Sequence, residues 1–167
     1  MQNINTVVLS LTVAVIDYLY MNRDIQRFWV LEEIARAPYF SFLSVLHLRE
    51  SLGLRGPNHI YLMKEHFEQT LNETEHLEYM EFLGGNAYWG DRFFAKHLVM
   101  VYYWIMVFYY LIDPKSAYDL NAKVELHATE TYLNYLSDHP DDEKIATIAC
   151  DEMNHYVELL RAMEKIS

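Results

Sequence analysis

Apolar residues recur along almost the whole chain at the three- and four-residue spacing of one face of an α-helix. The pattern predicts helices over residues 5–20, 24–48, 59–83, 91–112 and 113–136, with a sixth that ends near residue 163. Helices joined by short connections indicate an all-α bundle. No repeat, low-complexity tract or linker divides the chain, so residues 1–167 are expected to form a single domain.

Several predicted helix ends coincide with residues that favour capping. Gly84 and Gly85 follow the third helix, where glycine readily adopts the left-handed backbone conformation. Asp113 and Pro114 suit the start of the fifth helix, as an N-cap followed by proline at the first helical position. Acidic residues at 141–142 precede the sixth helix, whose N-terminus attracts negative charge.

Two segments, residues 1–16 and 98–112, carry no charged side chain. Both are shorter than the roughly 20 apolar residues that cross a bilayer, and the first lacks the basic region of a signal peptide. The simplest interpretation is that they are buried core helices. Six aromatic residues in the second segment favour the alternative of a segment lying in one membrane leaflet.

The amino-acid composition excludes several classes of partner and site. The net charge of -11 argues against nucleic acid as a partner, because no basic stripe is present to neutralise phosphates. The single cysteine, Cys150, excludes a disulfide framework and a thiolate zinc site. Carboxylates and histidines are therefore the groups from which a function is expected.

Two Glu-x-x-His motifs lie within predicted helices, Glu73 with His76 and Glu152 with His155. Residues three apart share a helix face, so each pair can direct one oxygen and one nitrogen to the same point. Glu32 lies in the apolar surroundings of a third helix. The sequence around Glu125 in a fourth helix is similar.

This arrangement, with one Glu from each of two helices and Glu-x-x-His from each of the other two, is that of di-iron carboxylate bundles. Four carboxylates buried without compensation would carry a prohibitive desolvation cost, which two divalent ions would offset. Oxygen and nitrogen donors without thiolates suit iron that handles dioxygen. Other glutamates are expected on solvated helix faces: Glu33, Glu65, Glu68, Glu75, Glu78 and Glu81.

Ordered motifs between about residue 17 and residue 160 resemble those of the alternative oxidase family, the monotopic di-iron quinol oxidases that include plastid terminal oxidases. The contiguous motifs are Leu31-Glu32-Glu33, Ala37-Pro38, His47-Leu48-Arg49, Asn72-Glu73-Thr74-Glu75-His76-Leu77, Leu111-Ile112-Asp113-Pro114-Lys115 and Asp151-Glu152-Met153-Asn154-His155. Glu125, Ala128, Thr131 and Tyr132 fall at the spacing of a further family motif.

The resemblance implies roles for particular residues. The implied iron ligands are Glu32, Glu73, His76, Glu125, Glu152 and His155. Tyr132 would lie beside the two iron ions and assist dioxygen reduction, while Asn72 and Asp151 would orient the ligands. The implied quinol pocket contains Arg27, Leu31, His127 and Thr131.

The resemblance also implies a ferritin-like four-helix bundle with two additional apolar helices, which reduces dioxygen to water with electrons from a quinol. A homodimer is expected, on the cytoplasmic side of one membrane leaflet or alternatively soluble in the cytoplasm. Without a transit peptide or a long N-terminal arm, a bacterial or phage member or a trimmed chain is expected.

The chain departs from the family pattern at Thr74, Tyr118, His127 and Ala149, where the family has arginine, histidine, a carboxylate and arginine. These positions surround the implied ligands and leave the reducing substrate open. A di-iron oxygenase or desaturase-like enzyme that acts on another small hydrophobic molecule is therefore the main alternative. An iron-storage bundle and a bundle without metal are two further alternatives.

Overall fold

The computed structural model describes residues 2–166 as six helices joined by short connections. They are α1 (Gln2–Leu19), α2 (Asp24–Ser51), α3 (His59–Phe82), α4 (Trp89–Ile112), α5 (Pro114–Asp138) and α6 (Glu143–Lys165). Met1, part of the first uncharged segment, and Ser167 lie outside the described residues. The all-α prediction is confirmed, and the helix ends differ from the predicted ones by a few residues.

Four of the helices form a bundle. α2 packs against α3, α5 packs against α6, and contacts between α2 and α5 and between α3 and α6 complete the arrangement. α1 lies against α5, and α4 lies against α2 and α5. The ferritin-like four-helix bundle with two additional apolar helices is therefore confirmed.

The predicted capping residues lie where the helices begin and end. Gly84 follows α3 with a φ of 85°, and Gly85 donates its backbone N–H to the carbonyl of Met80 at 2.8 Å. The carboxylate of Asp113 accepts a hydrogen bond from the backbone N–H of Ser116 at 3.1 Å. Asp142 caps α6 in the same way, so local side-chain chemistry fixes these boundaries.

The expectation that the uncharged segments are buried core helices is wrong for α4. The buried residues of α4 are Ala95, Met106, Val107 and Tyr110. Most of its large apolar side chains face outwards, as do several on α1. Among residues 2–166, α4 is the one helix that is long and apolar enough to cross a membrane, by length and composition alone. The sequence expectation of a segment too short to cross counted only the uncharged part, residues 98–112.

Two apolar clusters fill the interior, and carboxylates connect them. The first cluster includes Trp29 and Tyr132, and the second includes Tyr39 and Phe42. The hydroxyl of Tyr132 donates a hydrogen bond to Glu32, and the hydroxyl of Tyr39 donates one to Glu125 at 2.7 Å. The candidate site therefore lies where the two clusters meet.

Candidate metal centre

The six candidate ligands come together in the middle of the bundle. Glu32 lies on α2, Glu125 on α5, and one Glu-x-x-His pair lies on each of α3 and α6. All six side chains are buried, the most exposed being His155 at 7%. The four helices therefore place every predicted donor inside the protein and away from bulk water.

The donors form two overlapping groups, and within each group the ligand atoms lie within 4.8 Å of one another. One group contains Glu32, Glu73, His76 and Glu152, and the other contains Glu73, Glu125, Glu152 and His155. Glu73 and Glu152 belong to both. The six residues could therefore hold two metal ions, one at each group.

His76 is held from both sides of its ring. Its Nε2 lies 3.2 Å from the carboxylate of Asp151, and its Nδ1 lies 3.0 Å from Glu152 and 3.6 Å from Glu32. A carboxylate that accepts a hydrogen bond from one ring N–H orients the other ring nitrogen towards a metal. This contact supports the predicted orienting role of Asp151, whereas no hydrogen bond joins Asn72 to a ligand side chain among the described residues.

His155 occupies the corresponding position in the second group. Its Nδ1 lies 2.8 Å from Oε1 of Glu73 and 3.9 Å from Glu152. The contact with Glu73 lacks the alignment of a hydrogen bond, so this buried ring nitrogen has no hydrogen-bond partner. A nitrogen in this position can serve as a metal ligand.

Several carboxylate oxygens of the centre lack partners as well. Both oxygens of Glu73 and one oxygen each of Glu32, Glu125 and Glu152 are buried without a hydrogen bond. Buried polar groups in native proteins are almost always satisfied, and unsatisfied ones carry a cost of about 1–3 kcal/mol each, more when charged. The unpaired oxygens and the mixed oxygen and nitrogen donor set therefore fit two divalent cations.

The pKa values of the centre are shifted by burial and by the close approach of its four carboxyl groups. Burial and the neighbouring carboxylates raise the pKa values of Glu73 and Glu152 well above the ordinary range. Burial lowers the pKa of His155. For His76 burial acts in the same direction, but the hydrogen bond and charge of Glu32 outweigh it and raise the pKa to about 9. Without metal, the centre holds protons in place of cations.

Two tyrosines contact the carboxylates directly. Tyr132 is fully buried and donates its hydrogen bond to Glu32, as its predicted position beside the centre requires. Tyr39 on α2 bonds Glu125 from the other side and was not singled out from the sequence. Burial, together with the carboxylate charges, raises the pKa of both phenols well above 10, so both retain their protons.

Glu33 corrects a sequence expectation. It was predicted to be solvated, yet it is only 1% exposed. Its carboxylate accepts hydrogen bonds from Arg36, at 3.1 Å, and from Lys96 of α4. Because Arg36 of the same helix and Lys96 of the neighbouring helix α4 cover it, this charge can be buried without a metal, and no periodicity within α2 could reveal the contribution of α4.

An apolar cavity of about 210 Å³ lies next to the centre, between α1, α2, α4 and α5. Leu31 and His127, two of the four predicted quinol-site residues, line it, and Leu31 precedes the candidate ligand Glu32. Tyr102 of α4 also lines the cavity, and its buried hydroxyl has no hydrogen-bond partner. Burial and the charge of Glu125 raise the pKa of Tyr102, which leaves this hydroxyl a proton donor.

The other two predicted quinol-site residues line a different cleft. Arg27 and Thr131 face a separate opening of about 200 Å³, and Arg27 forms an ion pair with Asp17 of α1 at 2.6 Å. Thr131 contacts the apolar cavity only indirectly. Its hydroxyl donates a hydrogen bond at 2.9 Å to the backbone carbonyl of His127, which lines that cavity. The structure therefore does not bring the four residues to one cavity.

Comparisons with known proteins agree with this arrangement. The family model for alternative oxidase matches residues 7–158. Over 136 residues the chain is 44% identical to ubiquinol oxidase 4, chloroplastic/chromoplastic, of Arabidopsis thaliana; this match covers 81% of the chain but 38% of that relative. The chain therefore spans less than half the length of this relative. No solved structure matches significantly.

Proposed function

Because the chain belongs to the alternative oxidase family, we propose that it is an oxidoreductase that reduces dioxygen to water with electrons from a quinol. In the balanced reaction two quinols give up four electrons and four protons, and one dioxygen becomes two waters. The observation that carries this proposal is the pair of buried ligand groups that share Glu73 and Glu152. The plastid relative named as a ubiquinol oxidase supports quinol as the reductant.

Two iron ions are the proposed cofactor. Glu32 and His76 would hold one ion, Glu125 and His155 the other, and Glu73 and Glu152 would hold both. Bound iron would supply the one-electron steps that join quinol oxidation to dioxygen reduction. The four carboxylates balance the charge of two divalent ions, so the occupied centre would be close to neutral.

Tyr132 is the proposed catalytic residue beside the ions. Its phenol is protonated and its O–H is held by Glu32, so a proton is available at the centre without access to bulk water. Positioned proton donors contribute roughly 10²–10⁴-fold to rate. Tyr132→Phe should therefore lower turnover while two irons remain bound, whereas loss of iron would indicate a structural role.

The apolar cavity is the proposed quinol site. Its volume lies below the roughly 300–1,000 Å³ of typical ligand pockets, which suits a single ring with its tail outside. We propose that the hydroxyl of Tyr102 and the ring of His127 bond the oxygens of the head group. Burial and the charge of Arg27 lower the pKa of His127, so the neutral imidazole could accept a proton from a quinol hydroxyl.

Arg27, Leu31 and Thr131 complete the proposed pocket in different ways. Leu31 would pack against the ring inside the cavity. Arg27 and Thr131 would act from the adjacent cleft, where Thr131 fixes the turn that carries His127.

A one-leaflet membrane contact follows from the surface above the cavity. Val8, Val101 and Ile105 line the cavity and are also about half exposed at the surface of α1 and α4. A hydrophobic quinol could therefore move from lipid into the site without crossing water. We propose attachment to the cytoplasmic side of a membrane, with a soluble cytoplasmic protein as the alternative.

Vesicle binding tests the membrane contact. Trp104 and Phe108 are exposed on α4, and Leu133 is an equally exposed control on α5. Trp104→Glu with Phe108→Glu should abolish sedimentation with phosphatidylcholine vesicles, while Leu133→Glu should leave it unchanged. Equal binding by both proteins would contradict the proposed face.

We also propose a homodimer and a single domain over residues 1–167. Apolar side chains exposed on α2 and α3, including Phe40, Leu48, Phe67 and Leu71, support a protein contact on that side. Sedimentation velocity of the detergent-solubilised protein tests the oligomeric state, and a monomer at micromolar concentration would contradict it.

Dioxygen consumption tests the proposed activity. Iron-loaded protein with a short-chain quinol should consume dioxygen. Glu125→Ala should lower the rate at least ~100-fold, because even the loss of a residue that only orients a metal ligand typically costs about 10–100-fold. Glu78→Ala, which removes an exposed carboxylate from the ligand-bearing helix α3, should behave as wild type.

A second candidate is a di-iron oxygenase or desaturase-like enzyme. The largely apolar walls of the cavity, where His127 and Tyr102 provide the ionisable groups, would also suit another small hydrophobic substrate. Two bound irons with no quinol-dependent dioxygen uptake would favour this alternative.

A further inference from the structure

A second pocket of about 330 Å³ lies at the end of the bundle where α2 ends and α3 begins. Its walls come from the end of α2, the α2–α3 connection, the first turn of α3 and the end of α6. It shares no lining residue with the carboxylate centre or the apolar cavity. We call it the end pocket.

Two cations line the end pocket without a carboxylate partner. Arg49 packs its guanidinium on the ring of Tyr110 at 5.4 Å, and Lys165 lies over the ring of Tyr61 at 4.6 Å. Within the part of the chain that the structure describes, neither forms an ion pair. In a protein with 24 acidic and 13 basic side chains, a pocket lined by cations and no acid is unusual.

A buried histidine adds an unsatisfied polar atom. His59 is 4% exposed, and its Nε2 is buried without a hydrogen bond. The nearest acid is Glu50, with 3.6 Å between His59 Nε2 and the carboxylate, and Glu50 already pairs with Arg55. Since buried polar atoms normally have partners, a ligand in the pocket could supply the missing one.

The first turn of α3 provides a third attraction for an anion. No side chain caps this helix, and no acidic residue lies in its first turn. The amide of the N-cap residue Asn58 instead donates to the carbonyl of Lys165 at 2.8 Å. The positive end of the α3 dipole therefore faces the pocket, and no acidic side chain in its first turn offsets it.

From these observations we infer that the end pocket binds a phosphate monoester, with the phosphoryl group between Arg49, His59, Lys165 and the start of α3. The lining also includes the apolar residues Leu46, Leu62 and Ile166, against which an organic group could pack. The phosphoryl group could belong to a soluble ester or to the head group of phosphatidic acid. This inference does not depend on the proposed oxidase activity.

Binding measurements with iron-loaded protein test the inference. Glycerol 3-phosphate, by calorimetry, and vesicles containing phosphatidic acid, by sedimentation against phosphatidylcholine alone, are the two probes. One site per chain for the soluble ester indicates a soluble ligand, and a preference for phosphatidic acid alone indicates a lipid. Either result supports binding at the end pocket if substitution of Lys165 or Arg49 weakens that binding.

Lys165→Gln and Arg49→Gln should each weaken binding at least tenfold, and Arg161→Gln should leave it unchanged. Arg161 lies on the same helix as Lys165 but pairs with Glu158 at the surface. If Arg49→Gln fails to fold, as circular dichroism would show, Lys165→Gln decides the outcome. Failure to bind either probe would overturn the inference. Binding that is equally strong in wild type, Lys165→Gln and Arg49→Gln would also overturn it, because phosphate held at the iron ions would behave in this way.

Discussion

His66 and the carboxylate centre are both buried, yet their hydrogen bonds are arranged in opposite ways. Nδ1 of His66 lies 3.1 Å from Gln69 and Nε2 lies 2.6 Å from the hydroxyl of Tyr118, which in turn lies 3.0 Å from that of Tyr110. In the centre, by contrast, oxygens of all four glutamates lack partners. A closed network stabilises a fold by itself, while an open one of this charge requires a ligand.

The pH dependence of the two clusters should also differ in sign. Burial lowers the pKa of His66 to about 4, so the closed network contains a neutral imidazole. The carboxylates of the centre have raised pKa values and retain protons when metal is absent. Substitutions in each cluster, and iron binding at the centre, should therefore change the pH dependence of stability in opposite directions.

The largest expected effect comes from removing a carboxylate shared by both ligand groups. Glu73→Ala should reduce bound iron from two per chain to less than one and lower dioxygen uptake at least ~100-fold. Elemental analysis and an oxygen electrode measure the two quantities. Glu75→Ala, two residues away and exposed, should retain both irons, and equal loss in the two variants would contradict a specific site.

Iron binding at the centre should change how the stability of the protein depends on pH. The pKa values of three buried carboxyl groups, those of Glu73, Glu125 and Glu152, are raised above the ordinary 4.5. Between pH 4.5 and these raised values, the folded metal-free protein therefore binds more protons than the unfolded chain. Its stability should therefore fall as the pH rises above about 4.5. Iron should remove this fall, and iron affinity should increase with pH because binding displaces protons. Urea unfolding with and without iron measures this, and parallel profiles would contradict it.

The closed network should show the opposite slope. Because His66 titrates at about 4 when folded and at 6.5 when unfolded, acidification through this interval should cost about 3 kcal/mol of unfolding free energy. His66→Gln should flatten that interval, and iron content should remain at two. Urea unfolding at several pH values checks the slope, and an unchanged slope would show that His66 is not the titrating group.

The smallest expected effect concerns the apolar cavity proposed to bind quinol. Tyr102→Phe removes one hydrogen bond worth about 0.5–1.5 kcal/mol, so the KM for quinol should rise ~2–10-fold with little change in kcat. Tyr103→Phe is the matched control, because its hydroxyl bonds Ser44 outside the cavity. Equal KM values for both variants would indicate that the hydroxyl of Tyr102 bonds water rather than substrate.

Sequence predicts the features that short-range chemistry fixes. The helix ends at Gly84, Asp113 and Asp142 follow from backbone preferences and capping, and all three are confirmed. Within each Glu-x-x-His motif the Glu and the His belong to one ligand group, because residues three apart share a helix face. The roles assigned to these residues as iron ligands stay predictions that the geometry supports.

Features set by contacts between helices were missed. The bond from Tyr39 to Glu125 joins residues 86 positions apart, so no local pattern in the sequence could indicate it. Glu33 is buried because Lys96 of α4 reaches it, and α4 remains largely exposed despite its apolar sequence. Hydrophobicity alone does not distinguish a core helix from one with an outward apolar face.

Mössbauer spectroscopy of protein loaded with isotopically enriched iron tests the central claim most directly. Two ligand groups that share Glu73 and Glu152 predict two irons per chain in a spin-coupled pair, lost together in Glu73→Ala. A folded protein that binds a single uncoupled iron, or two irons that respond independently to Glu73→Ala, would contradict the account.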